Sequence, residues 1–355
     1  MAPLATLIHI SDLHFGMVDP TTMNAETISL WAKCRHFDGL LGHSYLSLVH
    51  LEQVVTRLRR EENAFLLVTG DLTTIGNTAE FDTAQEYLGN FLQPPRGNFL
   101  GLNFKDWQRL TIPGNHDHWP GTPTILGGPN TSFNNYFRAL PRVERIAIED
   151  FTLTVICVNS DSDVSPYGSE RVLARGSFRS QLVKLSGSLA AETPNEREIR
   201  VLLIHHSYSA SGLALAMNSA SRAALHDFIY EHNIGVLLCG HIHQPPVVNI
   251  LRVSRLQHGM KCLEARCGTS TQISTLPYNW RNALGVRPSR PDRLPNSILV
   301  HRLLRTEVGI VWTTKLLIER PWGFESAGNA VPRWPPDTEF TVWPSSLRQL
   351  DMANP

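Results

Sequence analysis

Short apolar runs punctuate the first two thirds of the chain, and each ends in a polar or glycine-bearing turn. Thr6–Ile10 runs into Ser11-Asp12, Phe65–Thr69 into Gly70-Asp71, and Arg109–Ile112 into Pro113-Gly114-Asn115. Thr152–Val158 leads to Asn159-Ser160, Arg200–Ile204 to His205-His206, and Gly235–Cys239 to Gly240-His241. Runs of this length bounded by turn residues predict buried strands. Helical spacing lies between them. Leu48, Leu51, Val54, Val55 and Leu58 share one face of a segment ending near Glu62. Phe81, Ala84, Leu88 and Phe91 share another, and residues 221–232 predict a third helix. Strand–helix alternation predicts an α/β architecture.

The texture changes after Pro246. Val247–Val253, Lys261–Ala265, Ser297–Leu304 and Val308–Ile318 follow one another without long helices between them. They predict a second, more antiparallel sheet packed in the same domain. Three long irregular segments stand apart: Gly16–Gly42, Trp119–Asn135 and Thr269–Asn296. Segments of this length are functional lids or disordered, and 17–50, with Trp31, His36, Phe37, His43 and Tyr45, is read as a lid, an oligomer contact or a surface excursion. The expected domain is 1–318, and 319–355, with Trp322, Trp334 and Trp343 among prolines, is read as an extended arm on its surface.

Composition narrows the function classes. The 355 residues carry 32 Lys and Arg against 32 Asp and Glu, so the net charge is zero. No basic excess marks a nucleic-acid track, so nucleic acid is not expected as a partner. No apolar stretch reaches ~18 residues and the first ten lack the pattern of a secretory signal, so no membrane partner is expected. The five cysteines are scattered, two of them inside apolar runs. They read as buried thiols, which suits a reducing, cytoplasmic setting. The composition's one chemical hint is its 15 histidines.

Their positions give that hint content. At successive strand ends stand Asp12-x-His14, Gly70-Asp71, Gly114-Asn115-His116-Asp117, His205-His206 and Gly240-His241-x-His243. Strand-end loops are where open α/β sheets place their sites. Singly, each group has an ordinary reading: a turn, a cap, a satisfied buried histidine. His241-x-His243 is the most telling, because side chains repeat every two residues along extended backbone and both imidazoles then share a side. Five clusters of oxygen and nitrogen donors, each closing an apolar run, point to metal binding. Imidazole and carboxylate donors without thiolate suit Mn, Fe or Zn, with Co and Ni also compatible.

This ordered set resembles the calcineurin-like metallophosphoesterase family, whose pattern runs D-x-H, GD, GNH[DE], H and GHxH. The resemblance spans residues 12–243. It implies a four-layer α/β/β/α sandwich, two mixed β-sheets flanked by helices, with two divalent metal ions at one sheet edge. Carried over, Asp12, His14, Asp71 and His243 would hold one metal. Asp71, Asn115, His205 and His241 would hold the other, with Asp71 bridging. His116 would face the substrate without binding metal, and Asp117 would hold the His116 ring. Many relatives have His-x-Pro at the fourth motif, where this chain has His205-His206-Ser207. His205 is read as the ligand, His206 as lying behind it or facing substrate. His118 is read as a substrate contact or a packed aromatic.

The family hydrolyses phosphate esters by direct attack of a hydroxide held between the metals. Within it the chain most resembles the bacterial cyclic-nucleotide and glycerophosphodiester branch. The expected activity is therefore hydrolysis of small phosphodiesters, 3′,5′-cyclic nucleotides among them, the loops 119–135 and 207–220 contacting substrate. A phosphomonoesterase or nucleotide-conjugate pyrophosphatase is the alternative, and a metal-free scaffold the alternative of another class. A homo-oligomer is left open.

Overall fold

The computed structural model describes residues 2–16, 43, 45–74, 76, 78–92, 99–118, 132–165, 168–191, 195–243, 247–255, 258–271, 295–327 and 338–351. All of 17–42, all of 119–131 and most of the 269–296 segment lie outside these residues, as do Trp31, His36, Phe37, Trp119 and Trp334.

Each half of the fold is a parallel β-unit extended by antiparallel strands. In the first, β1 (Ala5–Ile10) lies parallel to β2 (Ala64–Thr69), and β2 to the two-residue β3 (Thr111–Ile112). Helices α1 (Tyr45–Glu61) and α2 (Thr78–Gly89) make the crossovers. In the second, β4 (Arg142–Ile148) pairs antiparallel with β5 (Phe151–Cys157). β5, β6 (Glu198–Leu203) and β7 (Val236–Cys239) then run parallel. The short α4 (Ser169–Val172) and α5 (Arg179–Ala190) link β5 to β6, and α6 (Ser219–Glu231) links β6 to β7.

Period-two alternation decides how these layers stack. On β1, Ala5 and Leu7 point into a core shared by both sheets, with Leu67, Leu153, Val201, Leu203 and Leu238. Ile8 and Ile10 point the other way, onto Leu48, Leu51, Val55, Phe81 and Leu88 of α1 and α2. On the far sheet, Leu202, Ile204 and Leu237 meet Leu182, Leu185, Leu225 and Phe228 of α5 and α6. One apolar interior between two sheets and one under each helical layer make the α/β/β/α sandwich that the motifs implied. Each of the four cysteines among the described residues is buried and free. Among these residues no helix is long and apolar enough to cross a membrane.

Four expectations change. The strands after Pro246 do not form a sheet of their own. β10 (Ser297–Thr306) and β11 (Gly309–Arg320) form a hairpin that pairs antiparallel along β1. β8 (Val247–Arg255) and β9 (His258–Arg266) form another, with β9 parallel to β7. The exposed edge of each parallel unit takes one hairpin, so both sheets become mixed. Second, the described parts of the segment from Glu319 form strands of the two sheets and not an extended arm on the surface. β12 (Gly323–Ser326) and β13 (Thr338–Trp343) pair with β11, and β14 (Gln349–Asp351) pairs with β9. Third, Arg109–Ile112 is strand only at its last two residues, because Trp107–Leu110 is a 3-10 turn. The Arg142 guanidinium donates to the carbonyls of Gln108, Arg109 and Thr111, which satisfies backbone that a longer ladder would have used. Fourth, β4 and α5 carry apolar patterns that the sequence reading passed over.

Candidate metal centre

β1, β2, β6 and β7 all end on the same edge of the sandwich, and the five polar clusters meet there. Four donors, on Asp12, His14, Asp71 and His243, lie within 4.8 Å of one another, and so do donors of Asp71, His205 and His241. Asp71 belongs to both groups. Asp12, His14, Asp71, His205 and His241 are buried, while Asn115, His116, His118 and His243 are partly exposed.

The backbone is bent to make this meeting. Asp12, His14, Asp71 and His241 have φ of 52°, 50°, 52° and 72°. This left-handed region costs a side-chain-bearing residue about 1–2 kcal/mol, and such residues persist where function requires the geometry. Two glycines make room. A Cβ on Gly70 (φ +99°) would lie 2.5 Å from His205 Nδ1, and one on Gly114 would run into the Asp71 carboxylate.

Each ligand carboxylate divides its oxygens between scaffold and cluster. Asp12 Oδ2 accepts the His241 N–H at 3.1 Å, and Asp71 Oδ1 accepts the His116 N–H at 2.9 Å. Asp12 Oδ1 and Asp71 Oδ2 are buried without a hydrogen bond. They face imidazoles: Asp12 Oδ1 is 3.2 Å from His243 Nε2, and Asp71 Oδ2 is 3.2 Å from His205 Nε2 and 3.9 Å from His14 Nε2. The rings also face one another. His14 Nε2 is 3.0 Å from His243 Nε2, and His205 Nε2 is 3.2 Å from both His241 Nδ1 and Asn115 Oδ1. Unsatisfied buried carboxylate oxygens cost about 1–3 kcal/mol each or more. Buried donor atoms that converge without other partners are what a cation needs. The donor set therefore fits a pair of divalent metal ions.

The electrostatics agree. Burial pushes His14 and His241 well below the usual imidazole range, so both rings are neutral and able to ligate. Burial works to raise the Asp71 carboxyl, but His205 and His116 outweigh it and hold Asp71 ionised. Burial likewise opposes a charge on His205, yet the Asp71 carboxylate prevails and raises it. The cluster thus draws positive charge to the point that both proposed ligand sets share.

Two neighbours behave differently from expectation. Asp117 does not hold the His116 ring. It lies in the one-turn helix α3 (Asn115–His118), where adjacent residues do not face each other. Its carboxylate instead accepts from the backbone N–H of Leu72, Thr73 and Gly114 and from the Thr73 hydroxyl, at 2.9–3.1 Å. It clamps the Gly70-Asp71 turn to the Gly114 turn. Burial and the nearby Asp71 carboxylate raise it to about 7. The His116 ring is held by the Thr74 carbonyl, to which Nδ1 donates at 2.8 Å. His206 is fully buried behind His205 and His241, both its nitrogens engaged, so of the two expected placements it takes the one behind the ligands. His118 packs edge-on against Phe133, ring centres 5.0 Å apart. In the 207–220 loop, Ser207 Oγ and Ser209 N both donate to the buried Glu264, so this part is braced against β9.

No pattern in the sequence marks Thr69, Thr73, Thr74 or Ser160. Thr69 and Thr74 act through backbone carbonyls, the Thr69 oxygen accepting from His205 Nδ1 at 2.6 Å, and no side-chain pattern announces a carbonyl.

The sequence model of the family described as calcineurin-like phosphoesterase matches residues 5–245. No curated protein matches this sequence. Among solved structures, the purple acid phosphatase of yellow lupin seeds overlays with a TM-score of 0.49 at 11% identity, covering 91% of this chain and 52% of that one. GAP50 of Plasmodium, the anchor in the inner membrane complex, overlays at 0.44 with 12% identity over 91% and 88%. The sulfate thiohydrolase SoxB of Thermus thermophilus overlays at 0.43 with 14% identity over 92% and 59%. The chain thus spans little more than half the length of the phosphatase and the thiohydrolase. With the family match covering residues 5–245 and all five motifs gathered at one sheet edge, the chain belongs to the calcineurin-like phosphoesterases.

Proposed function

We propose that the chain is a phosphodiesterase that hydrolyses small phosphodiesters, 3′,5′-cyclic nucleotides among them, at a dinuclear metal centre. The observation that carries the reading is the convergence of the buried, unpartnered oxygens of Asp12 and Asp71 with the rings of His14, His205, His241 and His243. Asp12, His14, Asp71 and His243 would hold one ion. Asp71, Asn115, His205 and His241 would hold the other. The ions would supply Lewis-acid activation of phosphorus and of the attacking water.

The remaining steps belong to the chain's own side chains. His205 is aimed by the Thr69 carbonyl, and the carboxylates of Asp12 and Asp71 are aimed by backbone N–H groups. The Asp117 clamp keeps the two turns in register. His116 is partly exposed beside His14, ring centres 4.9 Å apart. With Nδ1–H on the Thr74 carbonyl, Nε2 is the atom left to face the leaving alkoxide, and it gives that oxygen a proton when the ring enters the step protonated on both nitrogens, leaving the neutral Nδ1–H ring. Proton transfer of this kind contributes about 10²–10⁴ in rate. Asp12 and Asp71 bring only two negative charges to a site that would hold two dipositive ions, so a singly charged diester would be attracted there without Lys or Arg.

A substrate panel on the manganese-loaded protein tests the reading. It holds cyclic nucleotides, glycerophosphodiesters, nucleotide conjugates and aryl mono- and diesters. Diester turnover above that of the matching monoester is expected. Monoester turnover far above diester turnover overturns the preference for diesters, and an inactive protein that binds no metal favours a scaffold.

A further inference from the structure

Histidines that bind metals almost always donate their second ring N–H to a carbonyl or carboxylate, which fixes the ring. His205 follows this rule through the Thr69 carbonyl. His241 does not. Its Nδ1 faces the cluster, and its Nε2 is buried without a hydrogen bond. What lies against its ring is His206, with centres 4.1 Å apart and planes 44° apart.

We propose that His206 is a positioning residue that sets the angle of the His241 ring, and through it the grip on the second cation. The inference rests on reading the cluster as a dinuclear centre. His206 is itself locked from three sides. Nε2 lies 3.2 Å from the Ala174 carbonyl, which can only accept, so Nε2 carries the proton. Nδ1 then accepts the Ser160 hydroxyl at 2.7 Å. Ala174 is held at φ 46°, a strained conformation for a residue with a Cβ. Gly176 closes the third side, since a Cβ there would lie 2.7 Å from His206 Cγ. The ring edge also meets His205, centres 5.4 Å apart at 89°. A flat ring held this tightly, with no exposed surface, is a rigid wall for His241, in place of the missing hydrogen bond.

The test is a calorimetric manganese titration of the full chain and of Ser160→Ala, His206→Ala and His206→Phe. In Ser160→Ala and His206→Ala, one of the two affinities should fall about 10–100-fold, while the other stays within about twofold. His206→Phe restores a flat ring and should recover part of the loss. The visible spectrum of the cobalt-loaded chain should change in the same variants. Ser160→Ala removes one hydroxyl only, and decides the matter if His206→Ala does not fold. Unchanged affinities in a folded Ser160→Ala variant overturn the proposal. So does an equal fall in both affinities that tracks a lower melting temperature of the metal-free protein, the sign of a merely structural role. A wild-type chain that binds fewer than two cations overturns the dinuclear reading itself, before any variant is compared.

Discussion

β1 carries two buried histidine clusters, one in its body and one just past its end. In the body, His9 Nε2 contacts the Thr69 hydroxyl at 2.9 Å and His9 Nδ1 contacts His301 Nε2 at 3.2 Å. His301 Nδ1 then meets the Thr314 hydroxyl and the Trp312 N–H at 2.9 and 3.2 Å. Every ring nitrogen there has a partner, and the backbone is ordinary strand. Past the end, the rings of His14, His205, His241 and His243 crowd two carboxylates, donor atoms stay unsatisfied and the backbone is left-handed. Buried histidines stand in both places. What separates a core polar network from a binding site is whether the hydrogen bonds close without a guest.

The largest expected effect lies at the shared ligand. Asp71→Ala should take bound manganese from two ions per chain to none and turnover to background, as read by metal analysis. Retention of two ions contradicts the ligand scheme. Next comes His116→Ala, which should lower turnover about 10²–10⁴-fold and leave metal content unchanged. Loss of metal there means that His116 is itself a ligand. Chelation should lower the melting temperature of the wild-type chain, because a ligand present at about 100 times its Kd stabilises by about 2.7 kcal/mol. The same treatment should leave Asp71→Ala unmoved.

The inner cluster should respond in the opposite sense. Burial holds His9 down at about 3, far below its ordinary value near 6.5. A folded value below the unfolded one means that stability is complete above about pH 6.5 and is lost as pH falls from there toward 3. At pH 5.5 the loss from this one group is about 1.4 kcal/mol. His9→Gln should flatten the fall in urea midpoint between pH 7 and 5.5 and leave manganese binding unchanged. An unaltered slope means that His9 is not the acid-sensitive group. The smallest effect is expected of Thr73→Val, which removes one hydroxyl donor from the Asp117 clamp. It should cost about 1 kcal/mol by denaturant unfolding, with both metal affinities retained.

The same comparison explains what could be read from the sequence. The donors lie in short local motifs at the ends of apolar runs, so Asp12, His14, Asp71, Asn115, His205, His241 and His243 were legible in order. Strand-length apolar runs along β1, β2, β5, β6 and β7 predict the α/β class, whereas the four-layer sandwich was implied only by the family resemblance. Periodicity does not name a strand's partner, however, and so the hairpins β8–β9 and β10–β11 were placed in one sheet when they complete two. Nor does a side-chain pattern reveal a carbonyl. The hold of Thr74 on His116, and of Ala174 on His206, needed coordinates, and Asp117 looked like the ring's support only because it stands next to it in the chain. His9 and His301 show the converse limit. A histidine count includes them equally, and only their completed hydrogen bonds remove them from the site.

The central claim is that the open cluster, unlike the closed one, is completed by two cations. Equilibrium dialysis of the metal-free chain against manganese, with Asp71→Ala and His9→Gln alongside, tests it most directly. Two ions per chain in the wild type and in His9→Gln, and none in Asp71→Ala, is the predicted result. No binding by the wild type, or two ions retained by Asp71→Ala, would contradict it.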